Sequence, residues 1–487
     1  MKRFRWLKIL IAFLIPLAFT MVSTNSLDND AWYVLSEGRE IVENGLYFED
    51  QLSMHESLAV IVQNYGYAAI FYLIYSAFGP LGIYIGMLVL ELVLMFLIYK
   101  VCMLLSNKNE NLSLILMVLT TVFLGNGYIV TRAQVVSYIL LLLVIYLMEL
   151  HIRKGKEKVL WWIPLVSLVQ INLHASLWPM IPVVMAVYVI DSIKQPRLHY
   201  NGYKALPIIV TGIISVLVGF INPYGLRMIT FIFTSYGVPE ANAYINELSA
   251  FRLSSPYYIL LYTSVVIVLF LYIFAKNKNI RLRYLLMLFG FLALGLNTVK
   301  GMSHLILVLF FPLADVYKDV KIGNKKNRRI FWMAGSWLGI LAVLSIIVVI
   351  FDRFPNMKNG PRDEMITVMD FLDEETKGQD KKSLKIYSNY NEGGYVEFRG
   401  YRPYMDPRME VFIKANNGKE DIFQEYYQLE NGQIEENEFL EKYDFDYILG
   451  FEGSGLYDIH SKEYALIYEE DGEGDYDGVR VYKKANV

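Results

Sequence analysis

The chain has 487 residues, 55% of them hydrophobic and 19% charged, with a formal net charge of -3. Such an apolar excess excludes an ordinary soluble protein and points to a membrane protein. The single cysteine, Cys102, excludes an internal disulfide and a cysteine-based metal site.

Charge and hydropathy divide the chain near residue 351: 1–351 is apolar and basic, 352–487 polar and acidic, of domain size. Lys2, Arg3, Arg5 and Lys8 lead into an apolar segment at 9–21. Many further apolar segments follow, so this one reads as a retained first helix with a cytoplasmic N-terminus rather than a cleaved signal. The first outer loop, 24–80, opens with Ser26-Leu27-Asp28-Asn29-Asp30-Ala31-Trp32-Tyr33. A carboxylate pair beside lipid is costly to keep and usually functional; an ordinary polar loop is the alternative. Residues 31–45 predict a short amphipathic helix ended by Gly45, lying along the membrane interface. The next apolar run, 58–78, is broken by Gln63, Asn64 and Gly66, so it is either a span or a second interfacial helix.

Basic clusters arbitrate. With 58–78 in the interface, spans fall at about 81–104, 111–126, 135–150, 159–172, 176–191, 205–221, 256–275, 284–298, 302–317 and 330–351. The clusters around Lys100/Lys108, Arg153/Lys154/Lys156/Lys158, Lys194/Arg197/Lys204, Lys276/Lys278/Arg281/Arg283 and 318–329 then all face the cytoplasm. With 58–78 spanning, every one flips outward, against the positive-inside bias. The expectation is a polytopic α-helical membrane protein of about 11 transmembrane helices plus interfacial helices, with 352–487 extracytoplasmic.

This parity gathers polar stretches on the outer side with Asp28 and Asp30: His55-Glu56-Ser57, Thr131-Arg132-Ala133-Gln134, Asn172-Leu173-His174-Ala175-Ser176, Asn222-Pro223-Tyr224-Gly225 and Lys300-Gly301-Met302-Ser303-His304. A loop at 226–255 adds Arg227, Glu240, Glu247 and Arg252. Each stretch alone is a solvated rim; together they outline an outer cavity. Arg132, Arg227, Arg252 and Lys300 are the cations able to steady a phosphate there, arginine with the better fork geometry. A carboxylate at Asp28 or Asp30 serves as general base, or the two hold a divalent cation such as Mg or Mn through oxygen ligands. Trp32, His55, Gln134, Asn172, His174, Asn222, Tyr224 and His304 line the cavity in this reading. The three histidines lack a recognisable zinc spacing, and hydrogen bonding at helix ends explains them better. Glu91 lies mid-span, where a structural hydrogen bond outweighs a functional role. No Gly-rich phosphate loop, Ser-His-Asp signature or nucleic-acid motif occurs.

From Asp352 onward the pattern predicts a small α/β domain. Helices are expected at 363–375, 420–429 and 435–442, and strands at 383–388, 404–406 and 447–449. Residues 391–395 form a turn or helix start, and 465–469 with 478–483 a hairpin.

An acidic motif in the first outer loop, then interfacial helices and many spans, resembles the GT-C superfamily of membrane glycosyltransferases. That superfamily includes the protein O-mannosyltransferases and the lipid A aminoarabinose transferase. The run Asp28-Asn29-Asp30-Ala31-Trp32-Tyr33-Val34-Leu35-Ser36-Glu37-Gly38, with Asn44-Gly45, is similar to a bacterial GT-C-like group. Later marks follow in order: Thr131–Gln134, Asn172–Ser176, Asn222–Gly225, then Asn389-Tyr390-Asn391-Glu392-Gly393-Gly394-Tyr395 and Tyr404-Met405-Asp406-Pro407-Arg408. Here the two acids are separated by Asn29 rather than adjacent. The resemblance implies a catalytic carboxylate in the first loop, Asp30 or Asp28, acting on a polyprenyl-phosphate-linked sugar and an extracytoplasmic acceptor. Two other classes stay open: a lipid or polysaccharide transporter, which calls for charged residues at mid-membrane and repeated halves, and a non-enzymatic envelope polysaccharide assembly protein.

Overall fold

The computed structural model describes residues 2–23, 27–194, 198, 202–235, 244–245, 248–249, 256–275, 280–320, 328–353, 360–472 and 478–485. Its helices are α1 (Lys2–Ser23), α2 (Asn29–Asn44), α3 (Tyr65–Leu105), α4 (Glu110–Gly125), α5 (Gln134–Lys154), α6 (Ile163–Leu173) and α7 (Met180–Asp191). There follow α8 (Leu206–Val218), α9 (Leu226–Thr234), α10 (Pro256–Ile273), α11 (Leu282–Asn297), α12 (Met302–Leu309), α13 (Phe311–Val316) and α14 (Arg328–Val348). Every apolar segment read from the sequence after residue 80 is helical. Among the described residues five helices are long and apolar enough to cross a membrane, and five more apolar helices are shorter. The chain is a multi-pass membrane protein.

The run 58–78 departs from expectation in its first part. Helix begins only at Tyr65, whereas residues 58–62 are extended: Asp50 N donates to Leu58 O and Val60 N to Phe48 O, at 2.8 and 3.1 Å. The β-branched Val60, Ile61 and Val62 suit that extended backbone. Past Tyr65 the helix is interrupted at Gly79, whose φ of 62° only glycine adopts freely, next to Pro80, which has no N–H to give. Residues 65–78 and 81–105 are therefore separate helical pieces.

The fold consists of two compact units: Met1–Asn25, Ile85–Gly225 and Ile245–Pro355 in the first; Ser26–Tyr84, Leu226–Tyr244 and Asn356–Val487 in the second.

In the first unit α1 packs on α14 and α4, α5 on α6 and α7, α6 on α8, and α11 on α7 and α12. Leu142, Ile145, Met148, Leu305 and Leu309 lie in its core. One set of helix ends is tied by ions. Arg283, fully buried, donates from Nε to Glu149 Oε1 at 2.7 Å and from Nη1 to Asp191 Oδ2 at 2.8 Å. Arg153 reaches Glu149 at 2.6 Å and Asp315 at 2.7 Å, and Arg281 reaches Asp315 at 2.5 Å. The sequence presents Arg153, Arg281 and Arg283 as loop cations, but they are internal, because three carboxylates from other helix ends close on them. Nearby, Asn109 Nδ2 donates to Lys318 O and Val320 O, and Lys8 pairs with Glu110. The basic ends of α1, α5 and α11 thus meet the ends of α3, α4 and α13, which supply Leu105 O, Glu110 and Asp315 as acceptors.

The second unit holds a five-stranded sheet ordered β2-β1-β3-β5-β4, from β1 (Lys385–Tyr387), β2 (Arg402–Pro403), β3 (Tyr447–Phe451), β4 (Tyr464–Glu470) and β5 (Val479–Lys484). Strand β1 runs parallel to β2 and β3, and β5 antiparallel to β3 and β4, with Ile386 opposite Tyr447 and Leu449 opposite Val481. The expected hairpin is β4–β5. The strand expected at 404–406 lies instead at 402–403, where Tyr404 N still donates to Ile386 O at 2.8 Å. Beside the sheet lie α15 (Asp363–Glu375), α16 (Gly393–Phe398), α17 (Ile422–Glu430) and α18 (Glu436–Tyr443), with α16 packed on α2.

Candidate functional site

Helix α2 carries the acidic pair. Asp28 is its N-cap in extended conformation, with its carbonyl accepting from Ala31 N at 3.0 Å, and Asp30 sits in the first turn. Both are half-buried. A carboxylate there is favoured by the unpaired N–H groups and the positive end of the helix dipole. Asp28 also lies within electrostatic range of the Tyr67 phenol.

The face of α2 that follows is buried. Trp32 is enclosed by Tyr395, Phe398 and Tyr75, with ring centroids 5.1, 4.9 and 6.3 Å away, so it is a packing residue of this unit. Arg39 spans the C-terminal end of α16, donating to Phe398 O at 3.1 Å and Glu397 O at 3.0 Å. A Cβ on Gly394 would stand 3.0 Å from Tyr33 N, and one on Gly393 1.8 Å from Met405 O. At Gly393 only glycine permits this approach, and at Gly394 a larger residue is tight. The first-loop motif, the Gly-Gly motif and the Tyr404–Arg408 motif, scattered along the sequence, are thereby brought together.

Below that contact lies a cluster which sequence reasoning missed. Arg408, 1% exposed, donates to Asp50 at 2.7 Å, Glu397 at 2.9 Å and Asp406 at 2.7 and 2.9 Å. Glu37, from α2, completes the group; its Oε2 is buried without a hydrogen-bond partner among the described residues. Four carboxylates thus face one guanidinium. Burial raises the Glu37 carboxyl to about 8, outweighing the attraction of Arg408. Burial likewise holds Glu397 well above the usual range, helped by a hydrogen bond to Asp406. Asp50 is buried too, but Arg408 and Ser53 together outweigh that burial and lower it.

His55 belongs to the same unit. Its Nε2 lies 2.8 Å from Tyr404 O, and its ring sits among Tyr404, Phe412 and Tyr443. Burial lowers its basicity, so the imidazole is neutral at pH 7 and acts as an aromatic spacer. Arg227 is exposed near the start of α9. Arg252, Glu240 and Glu247 lie outside the described residues.

The remaining candidates are in the first unit, at the helix ends opposite the ionic ones. His174 contacts Ser137 Oγ through Nδ1 and Ser176 Oγ through Nε2, both at 2.8 Å, so neither ring nitrogen is left for a metal. Lys300 and His304 are within electrostatic range of it. His304 packs between Tyr138 and Phe291. Gln134 donates to Tyr128 O at 3.3 Å, and Tyr128 OH to Val299 O at 3.0 Å. Asn172 donates to Ile221 O at 3.0 Å. Asn222 closes an Asx turn by accepting from Tyr224 N at 2.9 Å, with Tyr224 itself buried. Arg132 is half-buried. The buried Glu91 accepts from Thr20 Oγ1 at 2.9 Å, the structural bond expected of it.

No protein-family model matches the chain, and no curated protein does. Solved structures do. The archaeal oligosaccharyltransferase AglB from Archaeoglobus fulgidus, in complex with an inhibitory peptide and a dolichol-phosphate, aligns at a TM-score of 0.55 and 10% identity. The alignment covers 92% of this chain and 69% of that one. The chain shares the fold of this oligosaccharyltransferase. A crystal structure of the Archaeoglobus fulgidus oligosaccharyltransferase with Zn and sulfate aligns at 0.51 and 11% identity, over 91% of this chain and 67% of the other. At such identity the likeness is one of fold, and it extends over the helices and the C-terminal sheet alike.

Proposed function

We propose that this GT-C-type chain is a membrane glycosyltransferase that moves a sugar from a polyprenyl-phosphate-linked donor to an extracytoplasmic acceptor. The observation that carries the reading is the fold shared with an oligosaccharyltransferase along more than nine-tenths of the chain, a fold which in that neighbour holds a dolichol-phosphate and a peptide. About eleven spans put the N-terminus in the cytoplasm and residues 352–487 outside. The gathering of basic helix ends in the first unit supports that parity.

Asp30, with Asp28 beside it, takes the proton of the acceptor hydroxyl as that oxygen attacks the anomeric carbon, and the lipid phosphate departs. Arg132 and Lys300 steady the phosphate, with Arg227 and Arg252 as further cations. Gln134, Asn172, His174, Asn222, Tyr224 and His304 contribute substrate contacts in this reading, while Trp32 and His55 pack within their own unit. A divalent cation fits as well: two carboxylates suit a hard ion such as Mg or Mn that completes its shell with phosphate oxygens and water. Among the described residues no group of three or more His, Cys, Asp or Glu side chains could hold a metal ion, and Asp28 and Asp30 are the carboxylates proposed for it. When bound it would neutralise charge on the departing phosphate.

Purified protein assayed with polyprenyl-phosphate sugars tests the reading. Transfer is expected in the wild type and a loss of about 100-fold or more in Asp30→Asn. Unchanged transfer in that variant removes Asp30 from the mechanism.

A further inference from the structure

Helix α2 packs through Gly38 on Ala68 and Tyr72 of α3, and is held elsewhere mainly from one short segment, 392–408. Glu392, Gly393 and Gly394 open α16; the Gly394 backbone rests on Tyr33, and that of Gly393 on Met405 and Asp406, because neither glycine carries a Cβ. The other end of α16 offers its carbonyls at 397 and 398 to Arg39. Rings from its two turns, Tyr395 and Phe398, close on Trp32. Arg408, at the end of the segment, joins Glu397 of α16 to Asp50, which follows α2, and lies beside Glu37. On α2 these contacts fall at Trp32, Tyr33, Glu37 and Arg39, within the turns that follow Asp30. A carboxylate acting as base must stand within hydrogen-bond reach of its proton, and a misplacement of about 1 Å can cost on the order of 100-fold in rate.

We propose that residues 392–408 are a positioning element of the transfer site, fixing α2 and with it Asp30 through the Gly394 contact on Tyr33, the Arg39 fork on α16 and the Arg408 bridge. This rests on the assignment of Asp30 made above. The C-terminal region is then a working part of the catalytic apparatus rather than an appended binding module. Gly394 is the point at which this contact is tested, because a methyl group there meets Tyr33 N at 3.0 Å and the packing of α16 on α2 must give by a few tenths of an ångström.

The full-length protein tests this with Gly394→Ala against Gly455→Ala. The second is a close-packed glycine of the same unit, where a Cβ would stand 2.9 Å from Leu429 O and its nearest atoms all belong to Leu429 rather than to α2. Spin labels on Val42→Cys and Ser383→Cys report the placement of α2 without reference to activity; Cys102 is buried and stays unlabelled. In Gly394→Ala the label distance is expected to shift or broaden, kcat to fall at least about tenfold and KM to stay within about twofold. Gly455→Ala leaves distance and kcat unchanged. Wild-type kcat in Gly394→Ala, a lowered kcat with an unshifted distance, or an equal loss in Gly455→Ala overturns the proposal. Should Gly394→Ala fail to fold, Arg39→Lys, which keeps the charge and loses the fork, is judged by the same two measures. Full transfer by Asp30→Asn strikes at the assignment of Asp30 instead, and the label distances still report whether the segment holds α2.

Discussion

Each unit buries an ionic cluster, and the two are built to opposite balances. In the first, Arg153, Arg281 and Arg283 meet Glu149, Asp191 and Asp315, three cations against three anions. In the second, Arg408 alone meets Glu37, Asp50, Glu397 and Asp406. A matched network pairs every carboxylate with a guanidinium and acts as a fixed tie between helix ends. An excess of acids cannot all ionise in a buried site, so part of the second cluster stays protonated and its cohesion depends on pH. The matched cluster joins helices of the membrane part; the mismatched one stands behind the helix that carries Asp28 and Asp30.

Removing the lone cation is the harshest way to probe that contrast. Arg408→Met strips four carboxylates of their only guanidinium, and a loss near the upper end of the 3–5 kcal/mol typical for a broken buried pair is expected at pH 7. Because protonation is the acids' remaining escape, the loss shrinks toward pH 5. Thermal unfolding of the detergent-solubilised variant at both pH values measures this, and a loss independent of pH contradicts it. Arg283→Met costs less, about 3 kcal/mol, since Arg153 still holds Glu149 and the Tyr203 hydroxyl still donates to Asp191 at 3.1 Å. Its effect should be nearly flat between pH 6 and 8, and a pH-dependence as steep as that of Arg408→Met would erase the distinction between the clusters.

What could be read from the sequence follows from the range of the signal. Apolar runs are local, so the helices after residue 80 sit where hydropathy puts them: 135–150 expected against Gln134–Lys154, 284–298 against Leu282–Asn297. The run 58–78 misled in its first residues because burial in extended chain and burial in helix demand the same apolar side chains. Arg153, Arg281 and Arg283 look like loop cations because their partners lie up to 162 positions away; only Glu149, four residues before Arg153, was a local hint. In the second unit the Asp28–Gly38, Asn389–Tyr395 and Tyr404–Arg408 motifs were each visible as strings, yet nothing in them shows that Gly394 rests on Tyr33 or that Arg408 reaches Asp50. Glu37 stood within the quoted motif and passed as an ordinary polar residue of an interfacial helix. Its unpartnered Oε2 exists only once α16 and 404–408 are packed over it.

Glu37→Gln is the gentlest perturbation and the one that isolates the pH-dependence. The wild-type carboxyl titrates at about 8 in the folded chain against 4.5 for the free side chain, so folding takes up a proton at this position between those values. The stabilisation from Glu37 is complete below pH 4.5 and is lost as the pH rises through about 8, with the unfolded state gaining the ionised form throughout that window. Glutamine keeps the shape and cannot ionise in either state, so the variant should lose that slope and stand roughly 1–2 kcal/mol above the wild type at pH 8. Asp50 works in the other direction: its lowered carboxyl contributes stability above the usual aspartate range that disappears only on acidification, below the window in question. Unfolding midpoints of both proteins from pH 5 to 8.5 decide the matter. Parallel curves would mean that Glu37 is already ionised at neutral pH and that Arg408 is balanced by more charge than the mismatch allows.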